Sequence, residues 1–166
     1  MKLYIKQKVF SFGDKFTVKD EYGDDRYRVE GEVFSFGRKL HVYDMSGAEV
    51  AYIEQKVWTW MPCYEVYVQG QHAAEIRRKF TWFHPSYEIT GPDWTVEGSF
   101  WEHEYEVNSP TRGTVVRIAK EWMTWGDSYE LDIADPADEI VALAVVITID
   151  CVTESNSGAS VTVSSN

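Results

Sequence analysis

The chain is poor in several residue types whose abundance would point to function. It has 2 cysteines, Cys63 and Cys151, in 166 residues. That is too few for a disulfide framework or a four-cysteine metal site, so reduced thiols in a cytoplasmic protein are expected. Cations are scarce: 16 Lys and Arg stand against 27 Asp and Glu, for a net charge of −11. Nucleic-acid binding draws on a cationic surface that displaces counterions from phosphate, so no nucleic-acid partner is expected. The same sign weighs against general attraction to anionic membranes, though not against a local basic site. The longest apolar run, Ile140 to Ile149, is about half of a membrane span, and no transmembrane segment is expected. The opening Met1-Lys2-Leu3-Tyr4-Ile5-Lys6 lacks the apolar stretch of a signal peptide.

Catalytic signatures are missing as well. His41, His72, His84 and His103 are scattered, without the helical spacing of a zinc site. Ser11 and Ser35 sit in Phe-Ser-Phe-Gly, outside the strand–elbow–helix setting of a hydrolase nucleophile. No glycine loop is arranged to cradle phosphate. No catalytic residue, metal ligand or cofactor is therefore assigned.

Aromatics are plentiful: 7 Trp, 10 Tyr and 8 Phe, which suit pleated strands. One phrase recurs, in which a bulky apolar residue precedes an aromatic, a small residue and a second aromatic. It appears as Val9-Phe10-Ser11-Phe12, Val33-Phe34-Ser35-Phe36 and Val57-Trp58-Thr59-Trp60. Looser copies are Lys79-Phe80-Thr81-Trp82 and Trp122-Met123-Thr124-Trp125. Each copy precedes a turn signal and a stretch alternating at period two, such as Lys39-Leu40-His41-Val42-Tyr43-Asp44, so each unit reads as a β-hairpin. The expected pairs are 3–12 with 15–20, 26–36 with 39–44, 50–60 with 63–69, 72–82 with 86–91, 93–100 with 102–108, and 114–124 with 128–133.

Twelve antiparallel strands in one sheet need closure to remove their edges. A barrel of that size is too wide for its own side chains to fill. The filler follows the last strand. Asp135 is a good N-cap, Pro136 suits the first helical position, and Asp138 and Glu139 favour the positive end of the helix dipole. The next ten residues are apolar on every face, as a fully buried helix requires. Their Val, Ile and Thr content also suits a buried strand, but the complete start signal favours helix. The expected fold is thus mainly β: a closed twelve-stranded antiparallel barrel around a central C-terminal apolar helix. One domain is expected over residues 1–153, followed by a flexible polar tail over 154–166.

These residues also carry a resemblance. The opening through Lys15-Phe16, Val29-Glu30-Gly31-Glu32-Val33-Phe34-Ser35-Phe36-Gly37, Asp93 to Trp101 and Asp138-Glu139-Ile140-Val141-Ala142-Leu143-Ala144 resemble, in order, the LURP-one-related proteins. The resemblance implies the Tubby C-terminal-like fold, the same helix-threaded barrel. Related Tubby domains bind phosphoinositide headgroups, and related scramblases act at membranes. A stable barrel frame without a catalytic constellation leads to the expectation of a non-enzymatic binding or scaffold domain that recognises a phospholipid headgroup or a protein partner. The alternative is an enzyme with a site built from loop residues such as His84, His103 and Asp127.

The densest basic cluster, Arg77-Arg78-Lys79, is the candidate ligand-binding site, for an anion. On a strand Arg77 and Lys79 share one face and Arg78 takes the other. Trp58, Trp60, Trp82, Trp101 and Trp125 are expected to pack mostly around the helix or between loops, any exposed one being available to a partner or lipid. With the interior filled, a binding site belongs on the outer wall, in a loop or at a barrel mouth.

Overall fold

A computed structural model of the chain describes residues 1–6, 15–81, 86–99, 102–121 and 128–157. These form twelve strands and a C-terminal helix: β1 (Lys2–Lys6), β2 (Lys15–Asp20), β3 (Asp25–Gly31), β4 (Lys39–Asp44), β5 (Glu49–Gln55), β6 (Cys63–Val68), β7 (Gln71–Lys79), β8 (Ser86–Thr90), β9 (Trp94–Ser99), β10 (Glu104–Ser109), β11 (Gly113–Glu121), β12 (Ser128–Ile133) and α1 (Glu139–Ser157). Each strand pairs with its sequence neighbours, and β12 returns to β1, closing the barrel. The closing ladder is antiparallel, with Leu3 opposite Leu131 and Ile5 opposite Tyr129. No sheet edge is left at that junction, which is how closure avoids edge-to-edge association.

Alternation at period two sets which side chains enter the barrel. Phe16 and Val18, Leu40 and Val42, Ala51 and Ile53, Ala74 and Ile76, and Leu131 and Ile133 all point inward and are buried. They meet Ala142 to Ile147 of α1, which are 0 % exposed. Threonines of the helix inside this apolar wall bond locally: Thr148 Oγ1 donates to the Ala144 carbonyl at 2.7 Å and Thr153 Oγ1 to the Ile149 carbonyl at 2.9 Å. A single 3-10 turn over Pro136–Asp138 leads into α1, and the Asp135 side chain accepts the Ala137 N–H at 2.9 Å. The helix reading over the strand alternative is therefore the observed one. It runs on to Ser157, past the expected domain limit at 153, while residues 158–166 lie outside the described residues.

One expectation needs correction. The period-two pattern predicts strand ends at the aromatic phrases 33–36 and 57–60, but β3 stops at Gly31 and β5 at Gln55. Both phrases lie in the connections instead, and their side chains project into solvent. The period-two pattern continues through them, but neither face has core left to cover, so pattern alone overruns the strand. The copies at 9–12 and 122–125, and Trp82, fall outside the described residues.

Candidate functional site

Hairpin topology decides where the candidate site lies. In an up-and-down barrel, connections β1–β2, β3–β4, β5–β6, β7–β8, β9–β10 and β11–β12 leave from one mouth, and the others leave from the opposite mouth. Three contacts fix which end of α1 lies at the first mouth. Arg38 Nη1 donates to the Cys151 carbonyl at 3.4 Å. The Tyr87 hydroxyl lies 3.2 Å from Thr153 Oγ1. His103 Nε2 is 3.6 Å from Asp150 Oδ1. The first mouth therefore surrounds the C-terminal end of the helix.

The opposite mouth is locked by charge. Glu139, only 8 % exposed, receives Arg26 Nε at 2.7 Å and Nη2 at 2.9 Å, and the Tyr27 hydroxyl at 2.8 Å. Such bidentate pairing is among the stronger charge-assisted contacts. The Tyr27 phenol is held well above its ordinary pKa, first by burial and then by Glu139. Arg112 adds a clasp to Asp138 at 2.7 Å.

The first mouth carries most of the exposed aromatics among the described residues, with Tyr22, 81 % exposed, at the other. Phe34 is 100 %, Trp60 97 %, Trp58 90 % and Phe36 79 % exposed; Val33, Val57 and Phe80 join them. The Phe36 and Trp58 rings stack at 6.5 Å across neighbouring hairpins. Gly37 makes that approach possible: its φ is +85°, and a Cβ there would fall 2.5 Å from Val57 Cγ1. The expectation that the tryptophans pack inward thus fails for Trp58 and Trp60, because the interior is already filled by α1. Trp82, Trp101 and Trp125 lie outside the described residues.

Below this rim sits a buried polar cluster. Asp150, 3 % exposed, accepts a hydrogen bond from the Tyr129 hydroxyl. The His103 ring stacks on Tyr129 at 4.5 Å. Burial, reinforced by Asp150, pushes the Tyr129 and Tyr105 phenols far up. Burial, helped by Lys120, lowers the His103 pKa. All three groups are thereby held neutral. Sequence reasoning singled out His103 but missed Asp150; the one signal was a carboxylate ending an otherwise apolar helical run.

The three candidate anion-site residues separate as their strand positions dictate. Arg77 faces outward and pairs with Glu75 at 2.9 Å. Lys79 also faces outward, 3.4 Å from Glu88. Arg78 follows Ala74 and Ile76 on the inner face and lies half-buried at the first mouth opposite Tyr87. Among the described residues it has no acidic partner. His84 and Asp127 lie outside the described residues. No group of His, Cys, Asp and Glu able to hold a metal occurs among the described residues, and both cysteines are buried and unbridged. No helix there is long and apolar enough to cross a membrane.

A closed twelve-stranded barrel threaded by its own C-terminal helix is a distinct class of protein. Comparison with known proteins places the chain within it. The model of the LURP-one-related family matches residues 1–150, and the chain belongs to that family. It is 36 % identical over 154 residues to the uncharacterized protein YxjI of Bacillus subtilis (strain 168), across 92 % of this chain and 93 % of that protein. Its fold is similar to the X-ray structure of protein AT5G01750 from Arabidopsis thaliana, with a TM-score of 0.62, 18 % identity, and coverage of 90 % and 89 % of the two chains.

Proposed function

We propose that the chain is a non-enzymatic binding module that docks on the phospholipid bilayer interface through the aromatic rim around the C-terminal end of α1. The observation that carries this reading is the exposure of Phe34, Phe36, Trp58, Trp60 and Phe80 on neighbouring hairpins of one mouth. A large exposed apolar patch marks an interaction site, and tryptophan suits the headgroup layer, with an apolar ring and a polar N–H. Burying these five side chains yields roughly 8–15 kcal/mol gross, offset by the cost of association.

The cations of the chain are more numerous at the rim than in the connections of the opposite mouth. The connections at the opposite mouth hold Glu21, Asp24, Asp93, Asp135 and Asp138, with Arg112 as their one cation. The rim side holds Arg38, Lys39, Lys56, Arg77, Arg78 and Lys79 at strand ends and connections. The same side also holds Glu32, Glu102 and Glu104, and several of the cations are partnered, as Lys56 is by Glu65 and Glu75, so the rim carries charge of both signs. Arg78, with its bidentate fork, is the best placed to meet a headgroup phosphate. Buried free thiols fit a cytoplasmic setting.

Among the described residues the enzyme alternative has one geometric candidate, the cluster of His103, Tyr129 and Asp150. Burial keeps its phenols protonated and its imidazole neutral, so the shifts favour a packed hydrogen-bonded plug over a poised nucleophile or base. Vesicle flotation tests the binding reading. Wild-type chain is expected to float with phosphatidylcholine/phosphatidylglycerol vesicles (3:1) at low salt, and the Trp58→Ala/Trp60→Ala variant to lose at least tenfold in partitioning with an unchanged melting temperature. Failure of the wild type to float, or equal flotation of both, overturns it.

A further inference from the structure

The outer wall carries an ordered row of rings across β4 to β7. His41 on β4 lies directly opposite Tyr52 on β5, Tyr52 opposite Tyr67 on β6, and Tyr67 opposite His72 on β7. Residues directly opposite share a face of the sheet. The buried chain neighbours Val42, Ile53 and Val66 show that this face is the outer one. Successive ring centroids follow at 5.0, 6.0 and 5.5 Å. The two tyrosines lean along the wall. The Tyr67 hydroxyl donates to Glu65 Oε2 at 2.7 Å, two residues back on its own strand, and the Tyr52 hydroxyl is engaged by Lys39. Both residues are half-buried, so each ring lies against the sheet with a face to solvent.

A second row runs beside the rings, one step nearer the rim. There Lys39 stands opposite Glu54, Glu54 opposite Glu65, and Glu65 opposite Glu75. Like charges directly opposite destabilise a sheet, and the chain offsets this row only in part. Lys56 holds Glu65 at 2.5 Å and Glu75 at 3.0 Å. Glu54 is held more loosely, by Lys39 at 3.4 Å. Its charge acts on both phenols, which lie above their ordinary pKa: burial leads for Tyr52, followed by Glu54, and the Glu65 hydrogen bond leads for Tyr67. Another tyrosine of the same wall shows what such a surface receives. The Arg28 guanidinium lies over the Tyr43 ring at 5.3 Å, and its Nε reaches Glu30 at 2.8 Å. Tyr52 and Tyr67 offer the same combination of ring and carboxylate, with no arginine over either among the described residues.

We infer that this wall binds an arginine-bearing extended segment of a protein partner, with one guanidinium on Tyr52 and the next on Tyr67. A guanidinium stacks on an aromatic face and forks onto a carboxylate at once, which a lysine ammonium does not do. In an extended segment, side chains two residues apart lie on one side about 6.7 Å from each other, which fits the 6.0 Å between the two rings. The recognised pattern is therefore Arg-X-Arg, running across β5 and β6 with its forks turned to Glu54 and Glu65. The net charge of −11 draws such a cationic partner. This surface is separate from the aromatic rim and does not depend on the lipid-docking reading.

The test titrates the whole chain with acetyl-Gly-Arg-Ser-Arg-Gly-amide at low salt, followed by amide and aromatic-ring NMR. Shifts are expected at Tyr52, Glu54, Glu65 and Tyr67. The analogue with lysine in place of both arginines keeps the charge and is expected to bind at least fivefold more weakly. Tyr52→Val/Tyr67→Val keeps residues that suit strands and is expected to lose at least tenfold in affinity. Equal binding of the lysine analogue overturns the inference, since charge alone then accounts for the attraction. So does an unchanged affinity of the double variant, a set of shifts centred on the rim or elsewhere, or no shift at millimolar peptide. Should the double variant fail to fold, the arginine and lysine peptides compared on the wild-type chain decide the matter.

Discussion

Leu143 tests the claim that α1 is the core of the barrel and the strands only its wall. The side chain is 0 % exposed, between Ala142 and Ala144 that are equally buried. Leu143→Ala removes three carbons, about 2.4 kcal/mol of transfer free energy at 0.8 per methylene, and leaves a cavity that adds to the loss. How far the site can collapse sets the total. Here the wall is a closed ring of hydrogen-bonded strands whose spacing is fixed at about 4.8 Å, so it cannot contract around one missing side chain. The expected cost is in the upper part of the observed Leu→Ala range, about 4–5 kcal/mol. At roughly 2–4 °C per kcal/mol for a chain of this size, the melting temperature should drop by roughly 8–20 °C. Thermal melts followed by circular dichroism, with urea midpoints at unchanged slope, read this directly. Trp58→Ala serves as the contrast: at 90 % exposure it should change stability by no more than about 0.5 kcal/mol. A drop below about 3 °C for Leu143→Ala, or a larger drop for Trp58→Ala, would refute the assignment of core and rim.

Three further outcomes are expected. Val145→Asp places an unpaired carboxylate at a position 0 % exposed and should abolish soluble folding; a soluble variant with unchanged melting temperature contradicts the central helix. Gly91→Ala should cost at least about 1–3 kcal/mol, since φ there is +101° and the new Cβ would meet the Ala73 carbonyl oxygen at 2.5 Å; a neutral result in a urea titration rejects that geometry. His41 lies 2.6 Å from Glu49 and 3.0 Å from Glu32. Burial opposes its charge, but the two carboxylates outweigh burial and raise its pKa above 6.5. A raised folded pKa gives stability that is complete below 6.5 and lost as pH rises through the folded value. His41→Gln should therefore destabilise more at pH 5.5 than at pH 8.5, and equal losses at the two pH values would exclude this linkage.

Fold and site differ in how legible they are, for a physical reason. Period-two alternation reports burial on one face of a strand, and it located β2, β4, β6 and β12 closely because those strands begin just after their turns. The buried helix was legible from Asp135 and Pro136 at its start and from the unbroken apolar run behind them. Alternation cannot report where core ends along the strand axis. Val33-Phe34-Ser35-Phe36 and Val57-Trp58-Thr59-Trp60 keep the pattern of a strand but lie past the last strand residues, with Val33, Phe34, Phe36, Val57, Trp58 and Trp60 exposed. Arg78 shows the same limit from the other side: its place on the inner face followed from spacing, but its lack of an acidic partner, against the pairs of Arg77 and Lys79, depends on which strands neighbour it.

The misread phrases become informative once the topology is known. In an up-and-down barrel every second connection leaves by the same mouth. A motif that ends each odd-numbered strand is therefore carried to one end of the molecule, and a repeat along the chain becomes a ring in space. The described copies obey this: Phe34, Phe36, Trp58, Trp60 and Phe80 come from three successive hairpins and surround one end of α1. Had these aromatics served only to pack the wall, they would alternate in and out along the strands, as Tyr64 and Tyr67 do on β6, the first buried and the second on the outer face. Instead they lie past the last strand residue, where the interior is already full and the next layer is solvent. Removing aromatic side chains at such a place should leave the stability of the barrel nearly unchanged, the outcome expected of the proposed binding role and not of a packing role.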